Sequence, residues 1–429
     1  MPDRDKVILV GVYTGDISRE YYDETMLELQ KLADTAGVDV VKTYVQILPR
    51  PNTATYIGSG KIKEISSYAH NHQVYTLIFN NNLSPSQSRN ISDQTRCNVV
   101  DRTELILDIF ATHARTKQSR IQVELAQLEY SYTKLKRMWK HLSRIQGGIG
   151  FRGPGETQIE TDRREIRKKV QILKKKVKDI ENNSLVKRKK RNKIISISLV
   201  GYTNTGKSTL FNLLTSEQRY AEDQLFATLD SLTRVIRINS EENLVLTDTI
   251  GFIRNLPHRL VASFHSTLLE VIEADLLMHI VDLSRPNLYE YIEAVDKVLK
   301  ELKVLDKSIL MVFNKCDLVA GPYFTFLKRQ LLHEYPDSVF ISARTGEGMD
   351  QLNSKLQEFV GKYKNLLTLE IPYEMQNLIS FIYKVGEVME RKEKDDYTIL
   401  LTARIPRHFI KGIRQQIDDF KFLQYINKK

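Results

Sequence analysis

Eight residues, Gly201-Tyr202-Thr203-Asn204-Thr205-Gly206-Lys207-Ser208, carry the spacing G-x-x-x-x-G-K-[ST], which suits a polyphosphate. The glycines let backbone N–H groups close on phosphate oxygens with no Cβ in the way. A helix opening at Lys207 and running on through Thr209 would aim its positive end at the same oxygens. Lys207 would reach the β- and γ-phosphates, and the Ser208 hydroxyl would bind Mg²⁺. Asp248-Thr249-Ile250-Gly251 closes an apolar run, where a carboxylate can hold Mg²⁺ through water and the Gly251 N–H can follow the γ-phosphate. Asn314-Lys315-Cys316-Asp317 closes another. An aspartate there accepts two N–H donors from the Watson–Crick edge of guanine. Adenine offers one donor and one acceptor, so a lone pair would face a lone pair, and GTP is expected over ATP. Ser342-Ala343-Arg344 follows the last such run, where the Ala343 N–H can reach guanine O6; Arg344 stands where lysine is commoner.

Two positions bear on hydrolysis. In Phe226-Ala227-Thr228-Leu229-Asp230, Thr228 is the expected second Mg²⁺ ligand, with Thr233 its competitor. Phe252 follows Gly251, where many GTPases carry a glutamine that orients the attacking water. A phenyl ring cannot do this. No catalytic side chain is therefore identified, and slow intrinsic hydrolysis is expected until a partner or a rearranged switch supplies the missing element.

The elements that must position these groups follow from periodicity. Residues 7–114 alternate apolar β-branched runs (7–13, 40–48, 76–80, 98–101) with helical spacings (19–36, 60–72, 84–95), the pattern of βαβ crossovers and a parallel sheet. Residues 194–365 repeat it, with strands at 194–200, 233–238, 244–249, 276–282, 308–314 and 339–342. Between them, Ile121, Leu125, Leu128, Tyr132, Leu135, Trp139 and Leu142 form a heptad seam, and Ile159, Ile166, Val170, Leu173, Val177 and Ile180 a second. Five glycines and a proline in residues 147–155 separate the seams, and Thr157 with Glu160 reads as a capping box restarting the helix. The expectation is an α/β chain of four parts: an N-terminal parallel-sheet domain (1–114), an antiparallel helical hairpin (115–193), a P-loop GTPase domain (194–365) and a small C-terminal α/β domain (366–429) with a helix at 406–417.

Charge is concentrated in the hairpin. The 429 residues carry a formal net charge of +11, but residues 115–193 alone carry +16, while 1–114 carry −3 and 194–365 carry −4. That location suits phosphate and shape contacts with structured RNA. Lys174, Lys175, Lys176 and Lys178 on the second helix, and Arg152 in the joint, are the candidate RNA contacts. Anionic lipid would need exposed apolar residues beside the basic ones, and the heptad positions are expected to be consumed by pairing. With two cysteines, Cys97 and Cys316, a disulfide framework or four-cysteine metal site is excluded. Neither a secretory signal nor a membrane-spanning run is read, so a cytoplasmic location without membrane insertion is expected.

LFATLD (225–230), DTIGF (248–252), NKCD (314–317), GGIGFRGPGETQIETDRR (147–164) and TYIGSGK (55–61) together resemble the HflX family of translational GTPases over almost the whole chain. The resemblance implies GTP/GDP and Mg²⁺ as ligands and the large ribosomal subunit, the 70S ribosome and rRNA as partners, with the protein acting as a monomer. It implies splitting or rescue of stalled ribosomes, with the hairpin and N-terminal domain entering near the peptidyl transferase centre. A placeholder role on immature large subunits, without splitting, stays open. Gly148-Ile149-Gly150-Phe151-Arg152-Gly153 matches G-x-G-x-x-G but follows no strand, so a joint is expected there rather than a dinucleotide site. Gly58-Ser59-Gly60-Lys61 lacks the first glycine of a full loop, since Thr55 stands there; a turn before a helix is expected, with ATP binding secondary. The histidines show no metal-ligand spacing, and Trp139 is expected to pack in the seam.

Overall fold

A computed structural model describes residues 4–145, 154–189, 194–215, 225–226, 229–238, 243–254, 265–394, 397–406, 409–410, 412–413 and 422–423; the side chains of 135–145, 154–160, 162, 181–189, 265–267 and 422–423 fall outside the description. The first sheet has four parallel strands in the order β2-β1-β3-β4: β1 (Lys6–Tyr13), β2 (Asp39–Ile47), β3 (Thr76–Phe79) and β4 (Asn98–Asp101). The intervening helices are α1 (Arg19–Thr35), α2 (Ser59–His72) and α3 (Pro85–Thr95). β1 is buried along nearly its whole length, as a parallel strand covered on both faces must be. Ser84 and Gln87 close a capping box on α3, and Asp101 and Glu104 close another on α4 (Arg102–His113).

The hairpin consists of α5 (Lys117–Ile145) and α6 (Pro154–Lys189). At 1.5 Å per residue these helices are about 40 and 50 Å long. Ile121 and Leu125 of α5 meet Leu173 of α6, with Leu128, Val170, Val177 and Ile180 packed round them, so the two seams bury one another near the base. Leu135, Trp139, Leu142 and Ile159 lie outside the described side chains. The capping-box reading of Thr157 and Glu160 is corrected: α6 already starts at Pro154, so both residues sit inside the helix. Proline at the first helical position needs no N–H and brings its φ preset. The joint accordingly ends at residue 153, and residues 146–153, Arg152 among them, are outside the description. Asp101, fully buried, anchors the hairpin to β4 by accepting from Tyr130 Oη at 2.5 Å and Lys134 Nζ at 3.1 Å.

The second sheet has six strands in the order β10-β9-β8-β5-β7-β6. They are β5 (Ser196–Gly201), β6 (Leu232–Arg237), β7 (Asn243–Asp248), β8 (Leu276–Asp282), β9 (Ser308–Asn314) and β10 (Val339–Phe340). All pairings are parallel except that of β6 with β7. Its helices are α7 (Lys207–Thr215), α8 (His265–Glu273), α9 (Leu288–Glu301), α10 (Gly321–Glu334) and α11 (Met349–Tyr363). The third sheet is antiparallel in the order β12-β13-β11-β14. It comprises β11 (Lys364–Pro372), β12 (Glu387–Lys394), β13 (Thr398–Pro406) and β14 (Phe422–Leu423), packed on α12 (Gln376–Val385). β13 claims Pro406, which the sequence reading gave to a helix; residues 409–410 and 412–413 are helical, and the rest of that stretch is outside the description. Among the described residues no helix is long and apolar enough to cross a membrane.

One apolar core joins the first sheet's helices to the second sheet's nucleotide edge: Leu29, Leu32, Ile106 and Phe110 pack with Leu225, Phe226, Ile250, Phe252 and Val271. Arg254 is enclosed at this seam. Its guanidinium lies 4.3 Å from the Tyr21 ring centre and 4.1 Å from that of Tyr291, and it bonds Glu290 at 3.2 Å.

Candidate nucleotide site

The described residues of the phosphate and guanine motifs, 201–209, 248–251, 314–317 and 342–344, lie at the C-terminal edge of the six-stranded sheet, where ligands of open α/β sheets bind. Residues 202–206 turn from β5 into α7. Gly206 has φ +90°, and a Cβ there would stand 2.3 Å from Asn314 Nδ2; at Gly201 (φ +151°) it would meet the Ile280 carbonyl oxygen at 2.3 Å. Glycine is therefore needed at both ends of the turn. Thr205 Oγ1 closes the turn on Tyr202 O at 3.0 Å.

Lys207 is 6% exposed and folds back to donate to Tyr202 O at 2.6 Å and Gly201 O at 3.2 Å. Burial pushes its ammonium down to about 8, against an opposing pull from Asp248. The Ser208 hydroxyl donates to Asp248 Oδ2 at 2.6 Å, so two hard oxygen donors meet where β5 and β7 end. Thr249 Oγ1 bonds Leu199 O at 2.5 Å, fixing the strand end from which Ile250 and Gly251 continue. Gly251 passes so close to the turn that a Cβ would meet Thr203 Cα at 2.9 Å and Lys207 Nζ at 3.0 Å. Phe252 forms a bridge with Tyr202: its N–H donates to Gly201 O at 3.0 Å and its carbonyl accepts from Thr203 N at 2.8 Å. The Phe252 ring is buried in the shared core.

Asn314 joins the two halves of the site. Its Nδ2 donates to Thr205 O at 2.7 Å, and its Oδ1 accepts from Ala343 N at 2.9 Å. Lys315 Nζ reaches Asn204 O at 2.8 Å and Asp282 at 2.8 Å. Ser342 Oγ accepts from Thr345 N at 3.1 Å, which shapes the turn carrying Ala343. Asp317 and Arg344 are exposed beside it. Thr209 follows in the first turn of α7. Ala227 and Thr228 lie outside the described residues. The Phe226 ring packs edge-on against Phe110 with ring centres 4.6 Å apart. The hairpin lysines 174, 175, 176 and 178 are all exposed, and Lys174 also spans the hairpin to Glu129 at 2.7 Å. Among the described residues no cluster of three or more His, Cys, Asp or Glu could hold a metal. Gly58 begins a turn into α2, where Lys61 pairs with Glu64 at 2.6 Å.

Several contacts and residues of the site carried no sequence signal. The Tyr202 hydroxyl donates to Glu28 of α1 at 2.5 Å and accepts from Arg254 N at 2.8 Å, so the second residue of the phosphate turn is tied to the N-terminal sheet's helix. His279, in the middle of β8, is 1% exposed beneath the turn. Burial, with Lys207 nearby, pushes it down to about 3, keeping a neutral ring under the phosphate turn. An unfolded histidine binds its proton near 6.5, so below that the unfolded chain holds more protons and the fold loses stability as pH falls towards 3. Between pH 7 and 5 the expected loss is about 2 kcal/mol. His279→Leu should flatten this limb in urea unfolding followed by circular dichroism.

Four family models match in succession: "GTP-binding GTPase N-terminal" over residues 23–111, "GTP-binding GTPase Middle Region" over 113–191, "50S ribosome-binding GTPase" over 196–315 and "HflX C-terminal domain" over 329–419. The chain is 42% identical over 413 residues to the GTPase HflX of Flavobacterium psychrophilum, covering 91% of this chain and 97% of that protein. With the GTPase HflX of Escherichia coli K12 it shares 39% identity over 404 residues, 94% of each chain. Among solved structures, a GTP-binding protein from the archaeon Sulfolobus solfataricus in complex with GDP matches at 26% identity and a TM-score of 0.45, over 83% of this chain and 99% of that one.

Proposed function

This chain belongs to the HflX family of GTPases, and from that membership we propose that it is a cytoplasmic, monomeric GTPase that binds the large ribosomal subunit and the 70S ribosome through rRNA and uses GTP to split or rescue stalled ribosomes. The observation that carries the reading is the basic hairpin, whose described seam residues pair with one another while Lys175, Lys176 and Lys178 face solvent. We take the chain as four working parts with the boundaries given above.

In the proposed site, N–H groups of the turn from Gly201 to Gly206 hold the β- and γ-phosphates, and Lys207 leaves the Tyr202 and Gly201 carbonyls to meet them. Gly251 N–H follows the γ-phosphate. Asp317 reads the guanine edge, and Ala343 N–H the O6. Ser208 and Asp248, with Thr228, would hold Mg²⁺, which would neutralise charge on the phosphates. Phe252 is spent on packing, so water is positioned by a group that the ribosome or a rearranged switch brings.

Sucrose-gradient sedimentation with 50S, 30S and 70S particles, in GTP, GDP and a non-hydrolysable analogue, tests the assignment. Cosedimentation with 50S and loss of the 70S peak in GTP is expected. Stable binding to 50S with an intact 70S peak would favour the placeholder role, and no binding in any state would overturn the ribosomal reading. Reversing Lys175, Lys176 and Lys178 to glutamate should weaken binding and flatten its dependence on salt, because each phosphate contact contributes close to one unit of slope. Unchanged binding would dismiss the hairpin as the RNA-contacting arm.

A further inference from the structure

The hairpin's first turn is held by the segment that precedes β6. Asp230 accepts from Arg115 N at 3.2 Å, Thr116 N at 3.1 Å and Thr116 Oγ1 at 2.7 Å. Thr116 caps α5, since its Oγ1 also accepts from Ser119 N at 3.1 Å. A carboxylate from 114 residues along the chain thus sits against the N-terminus of a 29-residue helix, where the helix dipole favours it.

The other side of Asp230 leads straight to the phosphate end of the site. Leu232, two residues on, is the register partner of Asp248, and Thr233 that of Thr247. Asp248 in turn bonds Ser208. On its N-terminal side, Leu225, Phe226 and Leu229 are buried in the core that contains Phe110 and Ala114, the residues leading into α5. Strand register and apolar packing both limit how far Asp230 can move independently of the nucleotide edge or of the hairpin's base.

We propose that Asp230 is the positioning residue that passes nucleotide state to the basic hairpin, by seating or releasing the capped first turn of α5. The inference rests on the GTP-site reading above, and it assigns Asp230 no contact with nucleotide. Helix α5 is about 40 Å long and is tied to β4 midway, through Tyr130 and Lys134, so seating or releasing its first turn at Thr116 tilts the helix about that tie and shifts its far end. Linkage makes the effect reciprocal, so a tie favouring one nucleotide state must alter relative affinity for the two nucleotides.

Hydrogen exchange of the full chain, without ribosomes, tests this. Wild type in GDP and in a non-hydrolysable GTP analogue should differ on the order of tenfold in the protection of residues 117–124. Asp230→Ala should collapse that difference, and Thr116→Val should reduce it from the hairpin's side. Both should still bind a fluorescent guanine nucleotide. Asp230→Asn, which keeps one acceptor, should lie between wild type and Asp230→Ala. If Asp230→Ala lowers protection equally in both states and the difference persists, the contact is only a helix cap and the inference falls. Equal protection in wild type would overturn it as well. Failure of wild type to bind either nucleotide is a separate result, which would sink the site reading and the inference with it.

Discussion

Lys207→Ala should cut GTP hydrolysis by on the order of 10³-fold while leaving the nucleotide-free fold intact. The ammonium is buried against two backbone carbonyls, and its ionisation is pushed from 10.5 down to about 8. Between those values the unfolded chain holds more protons than the folded one, so the nucleotide-free protein gains stability as pH rises from about 8 to about 10.5. Below pH 8 the folded state bears the whole cost of the buried charge, about 3 kcal/mol. Alanine removes that cost and offsets part of what is lost by opening a gap and leaving the Tyr202 and Gly201 carbonyls without their donor. A thermal melt within a few degrees of wild type beside lost turnover is the expected pair of results. A triphosphate restores the charge on Lys207, so binding at pH 9 should take up a proton, seen as a dependence of calorimetric enthalpy on buffer ionisation. In Lys207→Ala that uptake should vanish. Wild-type rates in the variant, or equal proton uptake by both proteins, would remove Lys207 from the phosphate site.

The features legible in the sequence are those with local causes. Parallel strands buried on both faces read as near-continuous apolar runs, as β8 (LLMHIVD), buried along its whole length, does despite His279. The phosphate turn is legible because a glycine is sterically required at each end. The seams are legible because a heptad repeat is a local period, and Ile121, Leu125 and Leu173 do meet. What escaped depends on distance along the chain. Nothing near Tyr202 signals that its hydroxyl reaches Glu28, 174 residues away, and nothing near Asp230 signals Thr116. Arg254 follows a recognisable motif, but the Tyr21 and Tyr291 rings that enclose it come from two other helices. The capping-box error at Thr157 has a local origin: two start signals lay three residues apart, and Pro154 prevailed. The antiparallel setting of β6 was equally invisible, because periodicity gives a strand but not its direction.

Asp317→Asn should reverse base preference, weakening GTP by about 10⁴-fold and favouring xanthosine triphosphate. The argument begins from what holds the motif. Asn314 and Lys315 are committed to the protein, the first to Thr205 and Ala343, the second to Asn204 and Asp282. These bonds set the backbone of the motif, and Lys315 takes φ +66° to turn the chain away from β9. Asp317 follows in a short 3-10 turn with its side chain exposed at the mouth of the site, so it is the member of the motif open to the base. A carboxylate accepts only, and guanine offers two donors at N1 and the 2-amino group. An amide offers one donor and one acceptor; against guanine its NH₂ faces a donor, whereas xanthine presents an N–H and a carbonyl that match it. Asparagine is isosteric with aspartate and leaves the Asn314 and Lys315 bonds alone, so the phosphate site and the fold should survive. Competition between fluorescent GDP and xanthosine diphosphate measures the switch. Loss of both ligands would mean that Asp317 shapes the loop and does not read the base; unchanged guanine selectivity would move recognition to another residue.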